Sequence, residues 1–198
     1  MGNGRLPGIV HAREAHNWYQ EPIWVSRRLF EVEQFTGKVV DPAAGAGRIV
    51  ESARSARLEA EGFDVIQRAP DIVKGGRDFF AMSQIYKPNW PNIVSNPPYG
   101  RCPEGKGRLE DRFVRRALHF TTGKVAVFLR SNWINGEKRS RWIEQAPLYR
   151  VYYCTPRPSC PPGGMDVREG GGTEDYCWFV FLHGFDGHHT GHWLRRDP

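Results

Sequence analysis

The sequence contains only four cysteines, Cys102, Cys154, Cys160 and Cys177, and none of them shows a C-x-x-C spacing. Neither a zinc site nor a disulfide framework is therefore predicted. The sequence also lacks a signal peptide and any apolar run of about 18 residues, so we expect a cytoplasmic protein without a membrane partner. We interpret the His-His-x-x-His tail at residues 188–192 as a polar terminus, and no metal is predicted.

Acidic residues are fewer than basic ones, which favours a polyanionic partner. The formal net charge is +6 and the pI is about 9.3. Two basic clusters stand out along the chain: Arg101, Lys106, Arg108, Arg112, Arg115 and Arg116, then Arg130, Lys138, Arg139 and Arg141. A solvated protein face is the alternative interpretation of such charge runs.

The most informative motif is Asn96-Pro97-Pro98-Tyr99, which follows an apolar stretch at residues 92–95 that is typical of a buried strand. The side-chain carbonyl of Asn96 and the backbone carbonyl of Pro97 can both accept hydrogen bonds from one –NH₂ group. Two acceptors favour a pyramidal nitrogen, which frees its lone pair to attack a methyl donor. The prolines fix the backbone, and Tyr99 offers a flat face for a flipped base. A plain turn after a strand is the alternative.

A glycine-rich loop, Asp41-Pro42-Ala43-Ala44-Gly45-Ala46-Gly47, precedes this motif and follows a short apolar strand. Gly45 and Gly47 allow a ligand to approach the backbone closely, and Asp41 lies where open α/β sheets place ligand-binding groups. Val50 replaces the third glycine of a dinucleotide loop, and no G-K-[S/T] is present. An acidic strand end before two glycines suits a cationic nucleoside such as S-adenosylmethionine. A strand, turn and helix without a ligand is the alternative.

Apolar periodicity and turn residues predict an alternation of helices and strands. The predicted helices begin at Ile23, cover residues 48–61 up to a stop at Gly62, and cover 110–120. The predicted strands cover residues 63–66, 71–73, 124–129, 149–153 and 176–182, with a loop at 156–173. This order predicts an α/β three-layer sandwich with a Rossmann-like, mostly parallel sheet and an antiparallel edge. Residues 17–198 are expected to form one domain without a separate large target-recognition domain, after a flexible segment at 1–16.

The order and spacing of these motifs resemble the class I S-adenosylmethionine-dependent methyltransferases of the DNA adenine-N6 type, in particular the small phage- and prophage-encoded ones. The resemblance runs from about Asn17 to Trp193. The motifs that carry it are Tyr19-Gln20-Glu21-Pro22, the loop from Asp41 to Gly47, Asp71-Ile72-Val73, Asp78-Phe79, Asn96-Pro97-Pro98-Tyr99, Lys124-Val125-Ala126, Arg157-Pro158-Ser159 with Pro161-Pro162-Gly163, and Asp175-Tyr176-Cys177-Trp178.

The resemblance implies S-adenosyl-L-methionine as cofactor and a role for each matching residue. Tyr19 and Pro22 would shape the wall near its methionine end, and Asp41, Pro42, Ala43, Gly45 and Gly47 would form the main cofactor loop. Asp71 would bind the ribose hydroxyls, Asp78 would accept the adenine amino group, and Phe79 would pack on the adenine ring. Asn96 and Pro97 would hold the target amine, with Pro98 and Tyr99 completing the catalytic motif. A turn cap at Asp71, which follows Pro70, and a helix N-cap at Asp78 are the alternatives.

The expected partner is DNA, double-stranded by preference, with a homodimer or a specificity partner as a further option. Candidate nucleic-acid contacts are Arg101, Lys106, Arg130, Trp133 and Arg157. The loop after Arg157 could equally be a plain surface connection. The same motif also suits RNA adenine and a protein glutamine amide, because each presents a planar nitrogen. A non-catalytic nucleic-acid-binding relative is the remaining alternative.

Overall fold

The computed structural model describes residues 18–85, 88–105 and 107–197. The predicted flexible segment at 1–16 and the candidate contact Lys106 lie outside this part of the chain. The elements, in chain order, are α1 (Ile23–Val32), β1 (Val39–Asp41), α2 (Arg48–Ser55), β2 (Ala60–Phe63), β3 (Val73–Lys74), β4 (Trp90–Ser95), α3 (Leu109–Phe120), β5 (Thr121–Arg130), a 3₁₀ helix (Ser131–Asn135), α4 (Glu137–Ile143), β6 (Leu148–Thr155), β7 (Tyr176–Leu182) and β8 (Thr190–Arg195).

The strands form one 8-stranded sheet in the order β3-β2-β1-β4-β5-β7-β6-β8. Neighbours from β3 to β5 pair in parallel, and so do β6 and β8. β7 is inserted antiparallel between β5 and β6. The predicted fold class, a mostly parallel sheet with an antiparallel portion toward one edge, is confirmed.

Side-chain alternation along the strands divides the core into two layers. In β5, Val125 and Val127 pack with α3 and α4 residues, whereas Ala126 and Phe128 belong to the cluster that includes α1 and α2. The sheet is therefore covered by helices on both faces. Among the described residues, no helix is long and apolar enough to cross a membrane.

Three predicted boundaries are wrong. The strand expected over residues 71–73 begins only at Val73 and ends at Lys74. The helix expected over residues 48–61 ends at Ser55, and the chain turns at Arg57, which has a φ of 62°. Gly62 lies inside β2 instead of stopping a helix. Glycine is needed at this position because a Cβ would lie 2.7 Å from the Cβ of Ala44. The strand expected over residues 63–66 accordingly ends at Phe63.

The histidine-rich tail is exposed, and the edge strand β8, which includes its last residues, was not predicted. Only Leu194 is buried in this strand, so its sequence shows no alternation that could reveal it. Trp193 of β8 is paired with Tyr153 of β6, and their ring centroids are 5.6 Å apart.

A buried carboxylate connects the end of α1 to the sheet. The side chain of Glu33 is fully buried and accepts hydrogen bonds from Arg150 at 3.0 Å, from the Tyr152 hydroxyl at 2.8 Å and from Lys124. Burial, followed by the nearby Glu33 carboxylate, raises the pKa of Tyr152 to about 12, so this phenol remains a hydrogen-bond donor. A buried charge of this kind is tolerated only because its partners are present.

We expect Glu33→Ala to lower the free energy of unfolding by about 3–5 kcal/mol, because it leaves Lys124 and Arg150 without their counter-charge. Chemical denaturation followed by circular dichroism measures this. The control is Glu59→Ala, which removes an exposed partner of Lys38 at 3.4 Å and should cost less than about 0.5 kcal/mol. Equal losses in the two variants would contradict the assigned role of Glu33.

Candidate active site

The predicted functional motifs meet where the strand order reverses. β1 lies between β2 and β4, and Asp41, Asp64 and Asn96 stand at or just after the carboxyl ends of these three strands. In open α/β sheets ligands bind at this type of position, outside the carboxyl ends of the strands. The site is thus placed by the topology of the sheet.

Two clefts open at this edge. The first cleft is bounded by the loop after β1, by the segment after β2 and by the segment at 78–80. The second cleft lies beside the 3₁₀ helix and the end of the loop that leads into β7. Asn96 and Pro98 line the first cleft, Tyr99 lines the second, and Tyr19 lines both. The motif at residues 96–99 therefore stands between the two clefts.

The first cleft brings together most of the residues that the sequence suggested for a cofactor. These are Tyr19, Asp41, Pro42, Ala43, Gly45, Asp78 and Phe79. Pro22 and Gly47 lie outside its lining: Pro22 is the N-cap residue of α1, and Gly47, with a φ of +85°, is the N-cap residue of α2.

The structure does not place Asp71 in the first cleft. Asp71 lies in an exposed turn before β3, whereas Asp64 directly follows β2 and lines the cleft. One oxygen of Asp64 accepts the Gly45 N–H at 2.9 Å, and the other accepts the Ile66 N–H at 3.0 Å. The prediction of a strand running through residue 66 hid this strand-end carboxylate.

Three buried carboxylates face the first cleft: Glu21, Asp41 and Asp64. Burial raises the pKa of Asp41 to about 8, despite hydrogen bonds from the Ser95 hydroxyl at 2.7 Å and the Ala43 N–H at 3.1 Å, and the charges of Glu21 and Asp64 raise it further. Burial also raises the pKa of Glu21. A bound cation would favour the deprotonated forms of these carboxyl groups, so the cleft suits a cationic ligand.

The amide of Asn96 is held in one orientation. Its Nδ2 donates to Glu21 Oε2 at 2.8 Å and to the Tyr19 carbonyl at 3.1 Å. The Tyr99 hydroxyl donates to the Phe128 carbonyl at 2.7 Å and lies 3.1 Å from Asn96 Oδ1. Because both amide protons are used, Oδ1 is the atom of Asn96 that can accept a hydrogen bond from a ligand.

The other end of the motif is fixed by a buried acid. The Gly100 N–H donates to Glu110 Oε2 at 3.1 Å, and Glu110 also pairs with Arg108.

Burial holds the pKa of Tyr99 well above its usual value, so its hydroxyl stays protonated. Tyr99 is therefore anchored at both ends and lies against the second cleft.

Trp18 covers the first cleft and was not identified from the sequence. Its ring packs against Gly45 and Gly163, and the Arg68 guanidinium lies 4.4 Å from the ring centroid. The Trp18 carbonyl accepts the Gly163 N–H at 2.8 Å, and Tyr19 forms a β-bridge with Pro162. The segment at 18–20 is thus paired with the loop at 161–163, across a sequence separation that no local pattern reveals.

On the second cleft, the predicted nucleic-acid contacts differ in position. Arg130 lines it and is exposed, with Glu174 at 3.8 Å. Trp133 also lines it, but only 4% of its surface is exposed, and its indole N–H donates to Asp111 at 2.8 Å. Trp133 is therefore a core residue and offers no open stacking face. Arg101 and Arg157 are exposed outside the cleft lining, and Arg157 pairs with Asp175 at 2.6 Å.

Within the part of the chain that the structure describes, no group of three or more His, Cys, Asp and Glu side chains is arranged to hold a metal. The four cysteines are free.

No protein-family model and no curated protein sequence matches this chain. Solved structures do match its fold. A protein assigned as the modification subunit of a type I restriction enzyme from Vibrio vulnificus YJ016 superposes with a TM-score of 0.59 at 13% identity, over 89% of this chain and 47% of its own length. A protein assigned as an RNA methyltransferase from Pyrococcus horikoshii gives 0.58 at 16% identity, over 90% and 92%.

A protein assigned as a class I S-adenosylmethionine-dependent methyltransferase from Listeria monocytogenes gives a TM-score of 0.54 at 10% identity, over 86% of this chain and 62% of its own length. The present chain thus spans about half the length of the Vibrio protein and less than two thirds of the Listeria protein. At these identities the comparison shows the fold alone: the chain has the class I methyltransferase fold.

The raised pKa of Asp41 has a consequence for stability. Between about pH 4 and pH 8 the folded protein retains a proton on Asp41 that the unfolded chain releases, so stability falls as pH rises through this interval. The raised pKa of Glu21 acts in the same direction. We expect Asp41→Asn, which keeps an oxygen for Ser95 and Ala43, to flatten this fall in thermal unfolding scans from pH 5 to 8. Asp71→Asn, in the exposed turn, should follow the wild-type profile, and a wild-type slope in Asp41→Asn would contradict the assignment.

Proposed function

We propose that this protein is an S-adenosylmethionine-dependent methyltransferase that modifies the N6 amine of adenine in DNA. The single observation that supports it best is the position of the motif at residues 96–99 between two clefts. A methyl donor and a methyl acceptor must approach the same point from opposite sides, because the transfer is an in-line displacement. The first cleft would take the donor and the second the acceptor.

The first cleft fits S-adenosylmethionine by its charge. The cofactor carries a sulfonium and an ammonium group. Glu21, Asp41 and Asp64 are buried around the cleft, Asp64 with Arg68 at 3.0 Å, and a bound cation would favour the deprotonated forms of Glu21 and Asp41. A Cβ at Gly45 would lie 2.8 Å from the indole nitrogen of Trp18, so glycine is needed there for the indole to form part of the cleft wall. Bound there, the cofactor would supply an electrophilic methyl group and a neutral sulfide as leaving group.

We assign the cofactor contacts as follows. Glu21 and Asp41 would meet the ammonium end, and Asp64 would take the ribose hydroxyls in place of Asp71. Asp78, whose carboxylate accepts the Phe80 N–H at 2.8 Å, would receive the adenine amino group, and Phe79 would pack on the ring. All five of these residues line the first cleft.

On the acceptor side, Asn96 Oδ1 and the Pro97 carbonyl would accept the two N–H bonds of the target amine. Accepting both hydrogens makes the amine nitrogen more pyramidal and more nucleophilic. Glu21 contributes by fixing the Asn96 amide, so that its oxygen and not its nitrogen is presented. Tyr99 would stack on the base, and the buried surroundings exclude water from the reacting atoms.

A nucleic-acid acceptor is favoured by charge. The chain carries a net charge of +6, and exposed Arg108 and Arg130 line the second cleft. DNA is the first choice because the resemblance includes the Tyr-x-x-Pro segment at residues 19–22, and because the Vibrio neighbour is assigned as the modification subunit of a type I restriction enzyme. The same proposal includes a homodimer or a specificity partner for DNA recognition, and a phage or prophage origin for the protein. RNA is the second candidate, favoured by the Pyrococcus neighbour, which matches this chain over nearly its whole length.

The cofactor assignment is tested by a matched pair of carboxylate variants. We expect Asp64→Asn to weaken S-adenosylmethionine binding by about tenfold or more, because a hydrogen bond to a charged group contributes about 1.5–3 kcal/mol. Asp71→Asn should leave the affinity within about twofold of wild type. Isothermal titration calorimetry measures both. Weaker binding in Asp71→Asn alone would restore Asp71 as the ribose ligand and overturn the role of Asp64.

The reaction is tested by nucleoside mass spectrometry after incubation with S-adenosylmethionine and unmethylated DNA. We expect N6-methyladenine from the wild type and a loss of at least about 100-fold in Asn96→Ala, which removes an acceptor for the target amine. Cofactor binding by Asn96→Ala, measured in parallel, should persist. Unmodified DNA together with methylated RNA would identify RNA as the acceptor. Equal DNA methylation by both proteins would refute the assigned role of Asn96.

A further inference from the structure

The 3₁₀ helix forms one wall of the second cleft and carries two asparagines, Asn132 and Asn135. A 3₁₀ helix completes one turn in about three residues, so side chains three positions apart are eclipsed. Both asparagines line the cleft together with Tyr99, and both are exposed. Neither amide forms a side-chain hydrogen bond with any residue in the described ranges. Two adjacent amides are therefore available to a ligand in this cleft.

The 3₁₀ helix is held rigidly from the protein side. Trp133, between the two asparagines, is buried against Phe179 with ring centroids 5.1 Å apart, and its indole N–H donates to Asp111. Asp111 also accepts two hydrogen bonds from Arg139, at 2.6 and 3.1 Å, and Arg139 donates to the Trp133 carbonyl. The backbone that carries the amides is fixed before any ligand arrives, which reduces the entropy cost of binding.

The charged groups around the same cleft already have partners within the chain. Arg139 pairs with Asp111, Arg108 with Glu110, and Arg130 lies 3.8 Å from Glu174. An amide provides donors and an acceptor without net charge, which suits the edge of a nucleobase better than a phosphate. The two asparagine amides of the cleft can thus form hydrogen bonds with the edge of a base.

We propose that Asn132 and Asn135 form a paired-amide reader that contacts the edge of the base seated against Tyr99 and selects adenine over cytosine. The inference rests on the proposed function, because it requires a nucleobase acceptor in the second cleft. Adenine and cytosine both present an exocyclic amine to Asn96 and Pro97. Beside the amine both bases also present a ring-nitrogen acceptor, N1 in adenine and N3 in cytosine. They differ farther away, where adenine has N3 and a second ring with N7 and cytosine has a carbonyl, so hydrogen bonds away from the amine can discriminate between them.

The test uses DNA duplexes that contain the site methylated by the wild type. The target position carries adenine, one of the 1-, 3- and 7-deaza analogues of adenine, or cytosine. Single-turnover methyl incorporation is measured for the wild type, Asn132→Ala, Asn135→Ala and the double variant. Gln145→Ala, an exposed amide outside both clefts, is the matched control.

We expect the wild type to prefer adenine to cytosine and to lose about three- to tenfold when the contacted ring nitrogen is replaced by carbon. Each asparagine variant should methylate adenine more slowly by a similar factor. The double variant should methylate the deaza analogue no more slowly than it methylates adenine. The preference for adenine over cytosine should fall in parallel. Gln145→Ala should behave as wild type.

Two results would overturn the reader while leaving the proposed function intact. One is that the double variant keeps the same loss of rate on the deaza analogue and the same preference for adenine as the wild type. The other is a uniform loss on every base, which would assign the asparagines to the framework of the cleft.

If the wild type methylates no DNA, the proposed function fails, and the reader is then judged by fluorescence anisotropy with oligonucleotides that carry adenine or an abasic site. A wild-type preference for adenine that the double variant loses would support the reader. An absent or unchanged preference would refute it.

Discussion

The hydrogen bond from Ser95 to Asp41, at 2.7 Å, joins the two strands on which the whole site depends. Asp41 ends β1 and faces the first cleft, and Ser95 ends β4 directly before Asn96. Because β1 and β4 are parallel neighbours, their carboxyl ends lie side by side, and this hydrogen bond joins the two ends directly. The loop that would hold a cofactor and the motif that would hold the acceptor are thereby positioned by the same contact.

Much of the fold could be predicted because its signals are local. A parallel sheet is indicated by the apolar run of β5, by the glycine-rich loop after β1 and by the strand before Asn96. The observed sheet agrees with this prediction. The errors arise where tertiary contacts determine the structure. Gly62 is needed because Ala44 packs closely over β2, and β8 was missed because it has a single buried side chain. Trp133 looked like a surface aromatic, but a distant carboxylate, Asp111, binds its indole nitrogen.

The candidate site shows the same division. Residues within a contiguous motif, such as Asn96 and Tyr99, could be assigned a chemistry from their order alone. Trp18 and Glu21 could not, because their roles arise from contacts with residues far along the chain. Asp64 was missed for a smaller reason: a strand boundary displaced by three residues moved the strand-end carboxylate into the strand. The electrostatic character of the first cleft, with three buried carboxylates, was visible only in three dimensions.

The packing of Trp18 against two glycines limits how this protein can diverge. A Cβ at position 163 would lie 2.0 Å from the Trp18 ring, and one at position 45 would lie 2.8 Å from its indole nitrogen. Neither glycine can acquire a side chain while the tryptophan remains, so a change at either position requires a smaller residue at position 18. Homologous sequences should therefore show these three positions co-varying, with glycine retained at 45 and 163 wherever an aromatic residue stands at 18.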